Sequence, residues 1–508
     1  MGAGSSIYCS PLAVQHVSLT IQAPNVIALM DCEDTVGKVH QTILTAWQID
    51  GIFNVQYLQA FRLTEKPFAG TILGPNKAQV ISTAQARQTF CRFFGQLDNS
   101  GIKVVNSIYT GKMFSRSTII LERGLVAGSE LSSSFPVAER FICVAIRNRN
   151  VLQFPIVPGI ANVKLDWLRS QFASQLSGDE SIDEFIEFSF KGQIFGTNNR
   201  YEEVKQDQIT TKRLFLQMVR QFATSGYQLS FGLSLRGGFR NETTFFKAFS
   251  STPDTQPANY FLLCPEERNR LRLFECPMNA AKEIENSILS GQIREIKPSY
   301  MGCSEIVFTN TPFDTDSSQL ADTQLMFLEI IGRLWSLGWK LKGAIQTSLG
   351  RYVKSTMLFE TSTEEPRPIF GLAMVRSDTL KLFNAPTNVR TIVREIVLAV
   401  WSKGLQSECV LYNTQPEINR GCCLKLKGRP FAMRDMSTDC SEGLHLLVCI
   451  IEKLKLCGWH LHCSLDVGAR IVNEEDSHAY SADGSMVLFI RNDILISLNN
   501  DPTNEMSN

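Results

Sequence analysis

The chain has 508 residues, of which 44% are hydrophobic and 20% charged, a globular composition too long for one ordinary core. Fifty Lys and Arg balance 50 Asp and Glu, giving a net charge of +0. The basic excess that phosphate contacts demand is missing, which argues against a nucleic-acid partner.

The N-terminus reads Met1-Gly2-Ala3-Gly4-Ser5-Ser6, a pattern for N-myristoylation of Gly2. One myristoyl chain holds a membrane only marginally. Residues 1–30 contain no Lys or Arg to reinforce it, so Cys9 is the available second anchor, by palmitoylation. The plain alternatives are a flexible start and an ordinary surface thiol. No apolar run approaches the roughly 18–20 residues that span a bilayer. With no secretory signal peptide, the 14 cysteines read as thiols of a reducing compartment. The expected address is the cytoplasmic side of the plasma membrane or endomembranes, reached through the acyl anchor.

Strands are expected over 17–21 and 26–30, then a helix closing at Asp50-Gly51. A longer amphipathic helix carries Phe90, Cys91, Phe93, Phe94 and Leu97, ends at Gly101, and leads into a strand from Ile102. That pattern recurs three times without gaps. Phe215, Leu216, Met218, Val219 and Phe222 lead to Gly226-Tyr227; Phe327, Leu328, Ile330, Ile331 and Leu334 to Gly338-Trp339. Leu447, Val448, Ile450, Ile451 and Leu454 lead to Gly458-Trp459. Helical spacing of the apolar positions marks one buried face, and the Gly suits the left-handed residue that closes a helix.

The shorter helix is expected to recur as well, ending at Ser177-Gly178, Ser290-Gly291 and Lys403-Gly404. An acidic insert around Gly178-Asp179-Glu180 and Asp183-Glu184 sets the second copy apart. The pattern predicts an α+β fold of four tandem split β-α-β (ferredoxin-like) units, antiparallel sheets with amphipathic helices on one face. The expected bounds are 1–15 for the acylated segment and 16–131, 136–251, 259–361 and 368–490 for the units. A closing strand takes 491–499 and a disordered tail 500–508.

Chemistry is sparse. His460, His462, Cys457 and Cys463 form the best metal-like cluster, but the matching places in the third unit are Lys340 and Lys342, which favours a solvated strand face over a zinc site needing four converging ligands. Lys425, Lys427 and Arg429 alternate along an expected strand. They either meet anionic lipid headgroups or simply charge an outer face against edge pairing. Phosphate-loop, dinucleotide and kinase signatures are absent, so no cofactor is expected. Trp335 and Trp339 read as core.

The myristoylatable start, with Gly226-Tyr227, Gly338-Trp339 and Gly458-Trp459 closing amphipathic helices, resembles the raftlin family of acylated lipid-raft proteins. That family places an acylatable thiol beside its terminal Gly, whereas the nearest here is Cys9. The resemblance implies a non-enzymatic adaptor and carries over no catalytic residue. The expected function is a lipid-anchored scaffold with protein partners. An enzyme or small-ligand binder with a site between units is the alternative.

Overall fold

In the computed structural model the buried face of each long helix is the one its apolar spacing marks: Phe90, Phe215, Phe327 and Leu447 are all at most 1% exposed. The four closing glycines, Gly101, Gly226, Gly338 and Gly458, have φ of +77°, +81°, +81° and +82°, backbone that a Cβ would strain. The residue that follows, Ile102, Tyr227, Trp339 or Trp459, is core. Trp339 meets Phe261 edge-on with ring centres 5.0 Å apart, and Trp459 meets Phe370 the same way at 4.9 Å.

The structure describes residues 16–492 apart from 23–24, 31–32, 69–76, 109–114, 124–134, 197–201, 236–241, 250–257, 301, 314–318, 350–353, 376, 413–418, 432–437 and 468–484. Gly2, Cys9, residues 493–499 of the expected closing strand and the tail 500–508 lie outside the described residues.

Unit one comprises β1 (His16–Gln22), β2 (Val26–Met30), α1 (Glu33–Ala46), β3 (Ile49–Val55), β4 (Leu58–Leu63), α2 (Lys77–Asn99), β5 (Ile102–Ile108) and β6 (Ser115–Arg123). Unit two follows with β7 (Phe141–Asn148), β8 (Val151–Pro155), α3 (Asp166–Gln171), β9 (Leu176–Ile182), β10 (Phe185–Phe190), α4 (Glu202–Thr224), β11 (Tyr227–Leu233) and β12 (Thr243–Ala248). In unit three stand β13 (Tyr260–Glu266), β14 (Arg270–Phe274), α5 (Met278–Ser287), β15 (Ile293–Tyr300), β16 (Cys303–Phe308), α6 (Leu320–Ser336), β17 (Trp339–Ile345) and β18 (Thr356–Thr361). Unit four holds β19 (Ile369–Val375), β20 (Thr379–Phe383), α7 (Thr387–Val400), β21 (Leu405–Tyr412), β22 (Asn419–Leu426), α8 (Thr438–Leu456), β23 (Trp459–Asp466) and β24 (Ser485–Arg491).

Each unit is one six-stranded antiparallel sheet, ordered β3-β4-β2-β1-β6-β5 in the first and equivalently in the rest. Four of these strands, β3, β4, β2 and β5, keep the split β-α-β succession. The other two, β1 and β6, are wedged between β2 and β5, where the sequence pattern had allowed one linking strand.

The units close into a ring. The long helix of each packs on its own sheet and on the first strand of the next: α2 on β7, α4 on β13, α6 on β19 and α8 back on β1. At the centre, the inner edge strands meet in cyclic order, β5 with β11, β11 with β17, β17 with β23 and β23 with β5. All four carry a bulge at the same place, leaving Val105, Ser230, Lys342 and His462 unpaired in the ladder. A bulge bends an edge strand and re-aims its side chain. Here every junction gains a hydrogen bond at or near the bulge. Asn106 Nδ2 donates to the His462 carbonyl at 2.8 Å and His462 Nε2 to the Leu341 carbonyl at 2.7 Å. Lys342 Nζ donates to Gln228 Oε1 at 2.6 Å, and Ser107 Oγ donates to the Gly232 carbonyl.

Three sequence expectations need correction. The shorter helices do not close on the glycines expected. Gly51 and Gly178 lie inside the outer strands β3 and β9, and Gly291 sits in a 3-10 turn; of that set only Gly404 is left-handed, at φ +74°. The acidic stretch of unit two is not an insert. Gly178-Asp179-Glu180 belongs to β9, the counterpart of β3, β15 and β21, and Asp183-Glu184 make the turn into β10; the unit departs instead in the shortness of α3, six residues against 14 in α1. Finally, Lys425, Lys427 and Arg429 do not share a strand face, because β22 ends at Leu426 and the chain turns at Gly428, φ +82°.

Candidate docking groove

Unit three carries a groove of about 640 Å³ between the end of α5, the start of β15 and the outer side of α6. Its shape follows from how α5 ends. Pro277 starts the helix with the fixed φ its ring imposes, and Ala280, Ile284 and Ser287 form the buried stripe. The backbone turns extended at Ile288, which stays in the core at 4% exposure while Leu289 is thrown outward at 60%. A 3-10 turn, Ser290–Gln292, then delivers β15, the outer edge strand of its sheet. The ladder slips between Ile293 and Glu295, and Ile296 stands 46% exposed. Leu325 and Met326 of α6 complete the apolar lining.

The rim is acidic. Glu285, Asp322 and Glu329 line the groove against one guanidinium, Arg333, and that cation is already taken by Glu283 and Glu329, each at 2.9 Å. Burial pushes the Asp322 carboxyl up. Exposed leucines in the same local setting recur. Leu44 follows buried Ile43 on α1, and Leu398 follows buried Val397 on α7. The carboxylates recur only once: Glu329 corresponds to Arg92, Gln217 and Cys449, and Asp322 to Gln85, Thr210 and, in unit four, Glu442. Glu442 is committed inward, accepting from the Ser402 backbone N–H and Oγ.

The sequence reading passed over this surface. Its signal was a pair of adjacent apolar residues, Ile288-Leu289, where a single buried stripe needs one. Placing the helix end at Ser290-Gly291 hid it.

The sites the sequence did single out are engaged elsewhere. His462 sits in the ring junction, its pKa lowered to about 4 by burial, against which the Leu341 carbonyl works. His460 is held below its usual value by burial and by nearby Lys455. Among the described residues no three His, Cys, Asp or Glu stand together as a metal group. Trp335 is buried, and its Nε1 donates to the Glu364 carbonyl at 3.1 Å. Between units, charged side chains neutralise one another. Arg87 of α2 faces Glu242 at 3.8 Å and donates to Thr243 Oγ1 and Gln153 Oε1. Its counterpart Lys212 of α4 faces Glu266 at 3.4 Å and donates to Thr356 Oγ1 at 2.9 Å.

A family model of an uncharacterised domain matches residues 259–360 and again residues 368–481. The two matches fall on units three and four. No curated protein and no solved structure matches the chain. Among the described residues no helix is long and apolar enough to cross a membrane.

Proposed function

We propose that the chain is a non-enzymatic scaffold, held at the cytoplasmic face of a membrane by an acyl group on Gly2, that receives a partner protein in the unit-three groove. The observation that carries this reading is the pairing of an apolar lining, Leu289, Ile296, Leu325 and Met326, with a rim of Glu285, Asp322 and Glu329. Leu289 and Ile296 stand exposed beside the buried Leu325, a hold for a partner's apolar side chains, and rim charge selects the sign of the partner. The occupant is therefore a basic amphipathic segment, with apolar side chains at helical spacing and Lys or Arg beside them. Charged pairs such as Arg87–Glu242 and Lys212–Glu266 are buried at unit junctions and hold neighbouring units together, whereas the groove faces outward. The raftlin-like start and the Gly-aromatic modules support the membrane address.

Selection of displayed peptides against the full chain tests the groove. Enriched sequences should combine Leu or Ile with Lys or Arg, and should lose binding to Leu289→Asp and Ile296→Asp variants. Enrichment that ignores peptide charge, or survives both substitutions, overturns the assignment.

A further inference from the structure

On unit four, two thiols outside the groove face each other across the outer strands. Cys409 on β21 and Cys423 on β22 are direct partners in the antiparallel register. Directly opposite residues in such a ladder have Cα atoms about 4.5 or 5.5 Å apart, depending on pair type. Both values lie within the roughly 4.4–6.8 Å that a disulfide spans. Partners in register also share a face of the sheet, which sets the Cys423 thiol beside that of Cys409. Cys409 is exposed and Cys423 half-buried. The neighbouring Cys422 points the other way, into the apolar cluster that includes Val389, Val393 and Val397. Strand β21 is the free outer edge of its sheet, so solvent reaches the pair. On the third strand, Lys381 is the register partner of Cys423, and its ammonium favours a thiolate there.

We propose that Cys409 and Cys423 form a dithiol redox site that closes to a cross-strand disulfide on meeting a small-molecule disulfide oxidant of the glutathione type. The exposed Cys409, as thiolate, attacks one sulfur of the oxidant, and the first small thiolate leaves. Cys423 gives its proton to that thiolate and attacks Cys409 Sγ. The second small thiolate leaves and takes up from solvent the proton that Cys409 lost. Two protein thiols are thereby oxidised by two electrons while one oxidant disulfide is reduced to two thiols. Cys409 is the exposed member and Cys423 the half-buried one, its thiol pushed up to about 11 chiefly by burial, so Cys409 is the member that meets the oxidant first. The new bond staples the edge strand beside Glu408, whose carboxylate holds Arg394 of α7 at 2.8 Å.

The full-length chain is incubated with oxidised glutathione, digested without reduction and mapped by mass spectrometry. The expected product joins Cys409 to Cys423, is reversed by a phosphine and persists in Cys422→Ser. In Cys423→Ser the bridge is absent and Cys409 is trapped as a mixed disulfide with glutathione. Stable glutathionylation of wild-type Cys409 without a bridge, a bridge to Cys422 instead, or no oxidation of either thiol overturns the proposal.

Discussion

Lys455 on α8 forms an ion pair with Glu122 on β6 of the first sheet, so units four and one are locked together where the ring closes. Lys455 is 8% and Glu122 18% exposed at the side chain, and His16 Nε2 lies 3.5 Å from the same carboxylate. Burial alone would raise the Glu122 pKa. The hydrogen bond from His16 and the charge of Lys455 outweigh it and bring the value down from 4.5 to about 2. A carboxylate whose pKa falls on folding stabilises the fold above its unfolded value, and the stabilisation is lost as pH drops through the folded one. Stability should therefore fall by on the order of 2–3 kcal/mol between about pH 4.5 and pH 2 on this account. Glu122→Gln should flatten that part of the pH profile in urea titrations. By contrast, Glu408→Gln, in an exposed pair with Arg394 at 42% and 47% exposure, should change stability by less than about 1 kcal/mol.

His462 adds a second, higher window. Its pKa falls from 6.5 to about 4, chiefly through burial, so the unfolded chain takes the proton first as pH drops. The ring should lose stability from about pH 6.5 down to about pH 4 and gain none back below that. His462→Gln, which still offers a donor to the Leu341 carbonyl, should remove this step from the denaturation profile. A step of unchanged size in the variant would place its origin elsewhere.

Gly101 and Gly51 should respond oppositely to alanine. Both have open space where a Cβ would stand, but only Gly101 has a positive φ, +77°. Gly101→Ala should cost about 1–2 kcal/mol through backbone strain alone. Gly51→Ala, within an outer strand, should be neutral or slightly stabilising. Thermal unfolding of the two variants measures the difference.

That contrast also shows what could be read from the sequence. The long helices were legible because three local signals agree at each: apolar spacing over several turns, a left-handed Gly and a buried residue after it, as at Gly458-Trp459. The shorter helices gave only the Gly, and a Gly beside a strand bulge, as at Gly51 after the slip at Ile49, looks the same in sequence as one closing a helix. Ring closure was not legible at all. It depends on Lys455 meeting Glu122 and on Asn106 reaching the carbonyl of the bulged His462, contacts between residues 333 and 356 positions apart whose partners no local pattern specifies. The unit-three groove was lost for a third reason: exposure of Leu289 depends on where α5 stops, and element ends are the least determined feature of an apolar pattern.

Trp459 tests the repeat core directly. It is 1% exposed and packs edge-on against Phe370, itself stacked on Phe489 at 4.9 Å. Trp459→Ala should destabilise the protein by roughly 3–5 kcal/mol, read from the shift in denaturation midpoint. A negligible shift would remove it from the core.

The proposed acyl anchor involves Gly2 and Cys9, outside the described residues, so its test is independent of the fold. Wild-type chain should partition into the membrane fraction and Gly2→Ala into the soluble one, because a myristoyl chain contributes most of the affinity. Cys9→Ser should show intermediate recovery if that thiol carries the second acyl chain. Unchanged recovery of Gly2→Ala would end the acylation argument.

The junction between units one and two makes the last prediction. Arg87 and Glu242 are 1% and 0% exposed at the side chain, and Glu242 Oε1 also accepts the Leu235 backbone N–H at 2.8 Å. Burial lowers the Arg87 pKa, opposed by the charge of Glu242. Removing one partner leaves the other charge buried without compensation, so Arg87→Met alone should cost about 3–5 kcal/mol. Arg87→Met with Glu242→Gln should recover much of that, since the amide can still accept from Leu235 while shedding the charge. Additive losses in the double variant would show instead that Arg87 acts through Thr243 and Gln153, its hydrogen-bond partners on the neighbouring sheet.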